Sequence, residues 1–268
     1  MKAISGVGAT HVQAVYGGPL GELWELLLGE QTHAGGMAAS QELAVRAEIG
    51  ADMKGVDLGC GSGAGMRFLV KVRRVAAMRG VDGCERAVKR GQWRNQQMGL
   101  DEQIHFTLGD MCDSHLPPAA ADFVWGEDAW RHATDKAKLI GEAARLVKKN
   151  GAIAFTDWME GPVALSDAEA HRALNFMKCP SLESLDGYRR RLEEAGCEVS
   201  AAEDTNGLAP CLALCAEAIE RQMAFDALRI LNFDARLLEV VTGEIRFLCD
   251  MAAAGKIIQG RIMARKTR

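Results

Sequence analysis

One glycine-rich stretch constrains the fold of this 268-residue chain more than any other part of the sequence. Residues 55–58 form an apolar run typical of a short buried strand, and Gly59, Gly61 and Gly63 follow at alternate positions. A pattern of helical spacing then begins at Met66. Glycine adopts positive φ without strain and lets the backbone approach a ligand closely. A strand, a tight turn and a helix start in this order indicate a site for a nucleotide-like ligand.

Three aspartates lie at or near the ends of predicted strands. Asp57 belongs to the first strand, Asp82 closes the second, and Asp110 follows the apolar run 104–108. An acid roughly 20 residues after the glycine turn is typical of ribose binding in Rossmann-like folds. NAD is the competing ligand, but the glycine spacing departs from G-x-G-x-x-G, and an acid inside the turn would repel a pyrophosphate.

Strand and helix patterns alternate through the middle of the chain. Alternation of this kind predicts a parallel sheet with helices on both faces. Asn150 and Gly151 predict a helix cap and turn before the fifth strand. The predicted strands are 55–58, 75–82, 104–110, 122–126, 152–157, 197–202 and 256–266, and the predicted helices include 85–97, 135–149, 163–178, 184–195 and most of 208–254.

Helical patterns dominate two other parts of the chain. We expect residues 1–52 to form an N-terminal helical cap over the ligand cleft. Residues 53–268 would form one α/β domain, with helical insertions at about 160–183 and 206–254.

Composition limits the class of protein. A hydrophobic fraction of 48% and a charged fraction of 25% are typical of a globular protein with a large core. The net charge of −4 gives no reason to expect nucleic acid as a partner. No apolar run reaches the roughly 18 residues of a membrane span, and we find no secretory leader pattern. The eight cysteines lack paired C-x-x-C or zinc-ligand spacing, so we expect a reduced, cytoplasmic protein without a metal site.

Aromatic and acidic residues concentrate at the ends of the fourth and fifth predicted strands. Three of the five tryptophans, Trp125, Trp130 and Trp158, lie there, and Trp24 lies in the cap. Aromatic faces beside carboxylates suit a cationic amine or a sulfonium, although packing at the edge of the core is the alternative. His132 follows the fourth strand and titrates near neutrality, which makes it a candidate general base or a structural histidine.

The order Asp-x-Gly-x-Gly, Gly-Val-Asp and Gly-Asp resembles the class I S-adenosylmethionine (SAM) methyltransferases. The resemblance implies a Rossmann-like, mostly parallel seven-stranded sheet whose last, antiparallel strand inserts beside strand six. It also implies that the glycine loop contacts the methionine part of SAM, Asp82 the ribose and Asp110 the adenine. The candidate cofactor-binding residues are His33, Asp57, Gly59, Cys60, Gly61, Gly63, Asp82, Gly83, Asp110, Met111 and Glu127.

A narrower resemblance covers most of the chain. Segments 28–36, 127–132, 135–136 and 156–158 are similar in order to the sarcosine/dimethylglycine N-methyltransferases and, more remotely, to the phosphoethanolamine methyltransferases. That resemblance implies a lid latch and proton path between Tyr16 and His132, with Asp128 or Asp157 orienting the amine. An exposed aromatic residue is the alternative for Tyr16, and a solvated turn residue for His33. The candidate substrate-binding residues are Trp24, Trp130, Arg131, Asp157, Trp158, Lys178 and Lys256.

The acceptor stays open within this resemblance. Residues 174–180 lack the tyrosine- and arginine-rich cluster that binds phosphate in the phosphoethanolamine enzymes, so a phosphobase is disfavoured. A substrate carboxylate would need a cation, with Arg131, Arg172, Lys178 and Lys256 as candidates. Methylation of carbon, oxygen, sulfur or ring nitrogen in a natural product is an alternative, and a non-catalytic SAM-binding protein is a second one. A homo-oligomer is compatible with the sequence.

The cysteines raise one further alternative. Cys211 and Cys215 are four residues apart, on one face of a predicted helix, and with Cys179 they suggest an arsenite site. Apolar buried cysteines are the favoured interpretation.

Overall fold

A seven-stranded sheet forms the centre of the computed structural model, which describes residues 2–267. The strands are β1 (Lys54–Leu58), β2 (Ala77–Asp82), β3 (Ile104–Leu108), β4 (Ala121–Glu127), β5 (Val147–Glu160), β6 (Cys197–Asp204) and β7 (Ile257–Lys266). Their spatial order is β3-β2-β1-β4-β5-β7-β6, with β7 antiparallel to both of its neighbours. The predicted α/β class, with a last antiparallel strand beside strand six, is confirmed.

Helices cover both faces of the sheet and extend beyond it. They are α1 (Ala9–Tyr16), α2 (Pro19–Leu28), α3 (Gly36–Arg46), α4 (Ala64–Arg73), α5 (Glu85–Met98), α6 (Lys136–Leu146), α7 (Asp167–Met177), α8 (Leu185–Glu194), α9 (Leu208–Glu220), α10 (Ala224–Ile230) and α11 (Ala235–Ala253). A single 3₁₀ turn, Trp130–His132, follows β4.

The central strands are apolar because both of their faces are covered. Four of the five residues of β1 are buried, as are five of the seven residues of β4. Apolar side chains from β1, β4 and β5 pack against α6 and α8 on one face, and side chains from β2, β4 and β5 pack against α3 and α4 on the other. Parallel strands covered in this way are apolar along their whole length and do not alternate. The sheet is therefore a rigid support for the loops at its edge.

The strand order reverses between β1 and β4. The chain runs outward from β1 to β2 and β3, and then returns to place β4 on the other side of β1. In open α/β sheets, ligands bind outside the carboxyl ends of the strands at such a reversal.

The start of β5 differs from the prediction. The helix α6 ends at Leu146, and the backbone is already extended at Val147, so Asn150 and Gly151 do not cap it. Asn150 has a φ of +64°, and the pairing with β4 shifts register between Ala121 and Phe123. The two residues therefore do not end a helix. They belong to an irregularity inside β5, where the strand accommodates extra residues relative to β4.

A helical layer joins the two ends of the chain. Helix α2 packs with α9, α10 and α11 around one apolar cluster that includes Leu23, Ile219, Leu231 and Ile245. Helix α7 begins where Ser166 accepts a hydrogen bond from the Glu169 N–H in a capping box, four residues later than the predicted start at 163. These helices lie within the predicted cap 1–52 and the predicted insertions.

None of the helices described within residues 2–267 combines the length and the apolar character that a membrane span needs.

Candidate active site

A cavity of about 700 Å³ opens at the carboxyl ends of β1 to β4, where the strand order reverses. Its walls come from the glycine loop after β1, the acids at or just after the ends of β2, β3 and β4, the helices α1 and α2, and the loop between α2 and α3. All the candidate cofactor-binding residues line it except Gly63. Gly63 has a φ of +79° and starts α4, and a Cβ there would lie 2.6 Å from the ring of Phe106. Its role is to let the helix pack on the sheet.

The glycine loop presents bare backbone to the cavity. Gly59 has a φ of +84°, and a Cβ on it would lie 2.6 Å from the Cβ of Ala129. Gly61 faces open space and donates its N–H to Asp82 Oδ2 at 2.8 Å. A larger residue at position 59 would collide with the loop that leads to His132. The loop therefore needs glycine both for backbone conformation and for space.

Two buried carboxylates meet at the floor of the cavity. Asp57 is 4% exposed, and no hydrogen bond to its carboxylate forms within residues 2–267. Burial, together with the nearby charges of Glu127 and Asp82, raises the pKa of Asp57 well above its usual range. Glu127 accepts a hydrogen bond from Ser40 Oγ at 2.5 Å and lies 3.2 Å from His33 Nε2. Buried acids without a protein cation suit a ligand that brings its own positive charge.

The next two acids are held in fixed directions by backbone donors. Asp82 accepts hydrogen bonds from the N–H groups of Gly61 and Cys84, both at 2.8 Å. Burial raises the pKa of Asp82, while these two donors act in the opposite direction. Asp110 accepts a hydrogen bond from the Cys112 N–H at 2.8 Å through one carboxylate oxygen. Each carboxylate keeps acceptor capacity toward the cavity, which suits hydroxyl and amino groups of a nucleoside.

Tyr16 and His132 meet at the opposite side of the cavity. The Tyr16 hydroxyl lies 3.2 Å from His132 Nε2, and the two rings pack edge to face at 5.4 Å. His132 Nδ1 lies 3.2 Å from the carbonyl oxygen of Lys178, which only accepts hydrogen bonds, so we assign the proton to Nδ1. The Nε2 lone pair then accepts from the Tyr16 hydroxyl. Burial and the charge of Arg131 lower the pKa of His132 well below its usual range, so its ring is neutral at pH 7.

Known proteins resemble this chain both in sequence and in fold. Residues 56–155 match the family described as "Methyltransferase domain". The 27-O-demethylrifamycin SV methyltransferase of Amycolatopsis mediterranei is 28% identical over 209 residues, which are 76% of this chain and 74% of that protein. The dimethylglycine N-methyltransferase of Parasynechococcus marenigrum is 34% identical over 148 residues, which are 53% of this chain and 50% of that protein.

A solved structure supports the same fold. Phosphoethanolamine N-methyltransferase 2 of Haemonchus contortus, in complex with SAM, superposes with a TM-score of 0.85 and 18% identity. The match covers 97% of this chain and 60% of that protein. This chain is a SAM-dependent methyltransferase with the class I fold. The prediction of SAM as the cofactor is confirmed, and the NAD alternative is set aside.

Asp128 of the methyltransferase joins three segments that are distant in sequence. Its carboxylate accepts hydrogen bonds from the Ala34 N–H at 2.9 Å, from Trp158 Nε1 at 3.0 Å and from Gln259 Nε2 at 2.9 Å. These donors come from the cap loop, β5 and β7, which are far apart in sequence. The residue lines the cavity, and its Oδ1 accepts only from Gln259, so its role in orienting the substrate stays a prediction.

Arg131 is buried directly behind the Tyr16–His132 pair. Its guanidinium donates to the Asp128 carbonyl oxygen, and a second nitrogen lies 3.3 Å from the Tyr16 hydroxyl. The same group stacks 4.8 Å from the ring centroid of Trp158 and lies 4.0 Å from Asp157 Oδ1. Neither Arg131 nor Trp158 lines the cavity. Both support the wall that holds Tyr16 and His132.

The other candidate substrate residues lie away from the cavity. Trp130 is fully buried, donates its indole N–H to the Leu58 carbonyl oxygen at 2.9 Å and stacks on Phe155, so it is a core residue. Trp24 packs on Phe176 instead of facing the ligand. Asp157 is fully buried and accepts from the Tyr188 hydroxyl at 2.8 Å, and burial raises its pKa to about 6.

The two candidate lysines, Lys178 and Lys256, also lie outside the cavity lining. Lys256 pairs with Glu169 at 2.5 Å. Lys178 ends α7 with a φ of +52° and contributes its backbone carbonyl oxygen to His132. Neither ammonium group lines the cavity.

A ladder of ion pairs, which the sequence analysis missed, joins α2 to α5 along the cavity wall. Arg90 contacts Glu22 and Glu25, and Arg94 contacts Glu25 and Glu30. Arg86 and Arg67 extend this ladder at its two ends, by pairing with Glu22 and Glu30. The glutamates of the ladder belong to α2 and the loop after it, and the arginines of α5 follow more than 60 positions later, so helical spacing within α2 or α5 gives no signal of the pairing. Other cavity-lining residues that the sequence analysis missed are Gln13, Gln31, Thr32, Ser62 and Thr134.

Proposed function

We propose that this methyltransferase transfers the methyl group of SAM to the nitrogen of a small amine, the class that includes sarcosine and dimethylglycine. The observation that carries the proposal is the Tyr16–His132 pair, a neutral histidine with its Nε2 lone pair directed to a hydroxyl on the cavity wall. The similarity to a dimethylglycine N-methyltransferase supports the choice of nitrogen.

His132 is suited to take a proton from an amine. Amines are protonated in water at neutral pH, and the nitrogen attacks only through a free lone pair. When bound, SAM supplies an electrophilic methyl group on a cationic sulfur, and the electron pair of the breaking carbon–sulfur bond stays on sulfur. His132 would accept the amine proton at Nε2, directly or through the Tyr16 hydroxyl, while the Lys178 carbonyl oxygen holds the ring in place.

The lowered pKa of His132 keeps its ring neutral, as a proton acceptor requires. Because burial and Arg131 disfavour the imidazolium, the lone pair stays available at neutral pH. A primary or secondary nitrogen becomes acidic as its bond to the methyl carbon forms, and a neutral imidazole then accepts the proton. Alignment of the nitrogen, the methyl carbon and the sulfur supplies much of the rate, up to about 7–11 kcal/mol in favourable cases.

A hydroxyl acceptor is a second candidate. It rests on the similarity to the 27-O-demethylrifamycin SV methyltransferase, which extends over 74% of that protein. The Tyr16–His132 pair would then take the proton of an alcohol or phenol.

A transfer assay with radiolabelled SAM separates the two candidates. The panel includes sarcosine, dimethylglycine, N-methylethanolamine, N,N-dimethylethanolamine, catechol and a simple phenol. We expect labelled product from at least one amine and none from the phenolic acceptors. Label in the phenolic acceptors alone, or no transfer by protein that binds SAM, would contradict the proposal.

A further inference from the structure

We propose that the acceptor amine carries no carboxylate or phosphate, so that amino alcohols and simple amines are methylated in preference to glycine derivatives. This inference rests on the proposed amine methylation and narrows its substrate class.

The charge of the cavity wall is the first observation. Eight carboxylates line it, and within residues 2–267 Arg90 is the one lysine or arginine that does so. Arg90 is already paired with Glu25 and lies 4.0 Å from Glu22. The bound methyl donor offsets part of this negative charge, but it leaves no protein cation exposed to the acceptor. An anionic acceptor would therefore enter against the field of the cavity.

The acceptor end beside Tyr16 and His132 repeats this pattern. The cavity-lining residues from the end of β4 to the start of α6 are Glu127, Asp128, Ala129, His132, Ala133 and Thr134. None of these six is a cation, because His132 is neutral at pH 7. A hydroxyl or amide finds donors and acceptors at such a wall, whereas a carboxylate finds two like charges.

Arg131, the buried cation behind Tyr16 and His132, is committed to other partners. Arg131 is 7% exposed and contacts the Asp128 carbonyl oxygen, the Tyr16 hydroxyl, the Trp158 ring and, at 4.0 Å, Asp157. Its free Nε–H is itself buried in the protein and is not exposed to the cavity. To bind a substrate carboxylate, Arg131 would have to lose the contact that positions Tyr16.

The candidates farther from His132 are also unsuited to this task. Arg172 donates to Glu244 at 3.1 Å and stacks over Phe247, and Lys256 pairs with Glu169. Neither residue lines the cavity. The described part of the chain thus offers no site for an acceptor anion next to the reacting nitrogen.

A tertiary amino alcohol can accept the methyl group only after its ammonium loses a proton. The ammonium proton of N,N-dimethylethanolamine passes to His132 and then to water, and the free lone pair bonds to the methyl carbon. The carbon–sulfur bond breaks with its electrons on sulfur, which becomes a neutral thioether. The product is a quaternary ammonium alcohol, whose positive charge is compatible with the acidic wall.

A matched set of acceptors tests the inference on the intact enzyme at saturating SAM. N,N-dimethylglycine, N,N-dimethylglycinamide and N,N-dimethylethanolamine share the dimethylamino group and differ in the charge of the other end. We expect kcat/KM for the amide and the alcohol to exceed that for dimethylglycine by about tenfold or more.

Two variants check that charge causes the difference. Thr134→Arg places a cation on the wall at an exposed position, and Thr134→Gln adds bulk without charge. We expect Thr134→Arg to reduce the preference for the neutral acceptors severalfold, and Thr134→Gln to leave it unchanged.

The outcomes separate the two proposals. A preference for dimethylglycine over both neutral acceptors overturns this inference and leaves amine methylation intact. If protein that binds SAM methylates none of the three, the proposed function fails and this inference fails with it.

Discussion

The two halves of the cavity are built in different ways. The half that we propose for the cofactor consists mainly of backbone and strand ends, where Gly59 and Gly61 follow β1 and Asp82 ends the adjacent strand. The half that we propose for the acceptor depends on side chains brought together from distant elements, and Tyr16 and His132 are 116 residues apart in the chain. The donor site is thus encoded locally, whereas the acceptor site exists only when the cap is packed in place.

Ion pairs between α2 and α5 hold the cap against the wall of the cavity. The ion-pair ladder between α2 and α5 closes the wall near the glycine loop, because Arg94 also donates to Ser62 Oγ at 3.1 Å and Arg67 to the Ser62 carbonyl oxygen at 2.8 Å. The other side of the cap is apolar and packs on α9 to α11. We expect the ladder to be the side that responds to salt.

The largest expected effect lies in the acceptor half. His132→Ala removes the proton acceptor, so we expect kcat for an amine to fall by about 100-fold or more while SAM affinity stays within about threefold. Steady-state kinetics and calorimetry measure the two quantities. His105→Ala, at an exposed position on β3, is the control. Unchanged kcat in His132→Ala would show that His132 is not the proton acceptor.

The cofactor half is broken by one methyl group. In Gly59→Ala the new Cβ meets Ala129, so we expect SAM to bind about 10- to 100-fold more weakly. Gly99→Ala is a matched control, because Gly99 also has a positive φ of +61° but no atom within 4 Å of an added Cβ. Both variants should lose about 1–2 kcal/mol of stability from backbone strain. Equal SAM affinity in the two variants would show that the space at Gly59 is unimportant.

The wall behind the acceptor half has a pH-dependent weakness. The folded-state pKa of Asp157 is about 6 against a usual 3.8, so its contribution to stability is fully present below pH 4 and is lost as the pH rises through 6. Asp157→Asn resembles the protonated form and still accepts from Tyr188. We expect the free energy of unfolding of the variant, relative to the natural chain, to improve by about 3 kcal/mol between pH 4 and pH 8. Denaturant unfolding at the two pH values checks this, and a constant difference would contradict it.

The smallest expected effect concerns the ion-pair ladder between α2 and α5. Glu25→Gln removes the ladder's contacts to Arg90 and Arg94, so we expect SAM to dissociate about two- to fivefold faster at low salt. In 0.5 M salt the variant and the natural chain should converge. Glu217→Gln removes an exposed pair with Arg221 on α9 and serves as the control. Stopped-flow displacement of SAM measures the rates. A dissociation rate for Glu25→Gln equal to that of the control at low salt would show that the ladder does not slow the release of SAM.

The difference between the halves also explains what the sequence could predict. The glycine loop, Asp57 and Asp82 lie within short segments whose spacing reflects β1, its turn and β2, so the cofactor half follows from pattern alone. The substrate residues do not. Trp130 and Asp128 lie in the same segment as His132, but a core contact to Leu58 and three hydrogen bonds from distant elements fix their side chains.

Two other features also depend on contacts between segments that are distant in sequence. The irregularity at Asn150 depends on pairing with β4, and the ion-pair ladder depends on how α2 lies on α5. Neither has a signal within its own segment. Tyr16 and His132 are too far apart in sequence for any spacing rule to pair them. Their pairing could be predicted only from the family resemblance.

The protonation state of His132 is the most direct test of the account, because a neutral imidazole beside Tyr16 is required for proton transfer from the amine. A ¹⁵N NMR titration of the histidine rings, in protein with S-adenosylhomocysteine bound and His132→Gln for assignment, reports both the pKa and the tautomer. We predict a neutral ring with its proton on Nδ1 throughout the range from pH 6 to pH 8. An imidazolium at pH 7, or a neutral ring with its proton on Nε2, would contradict the proposed chemistry.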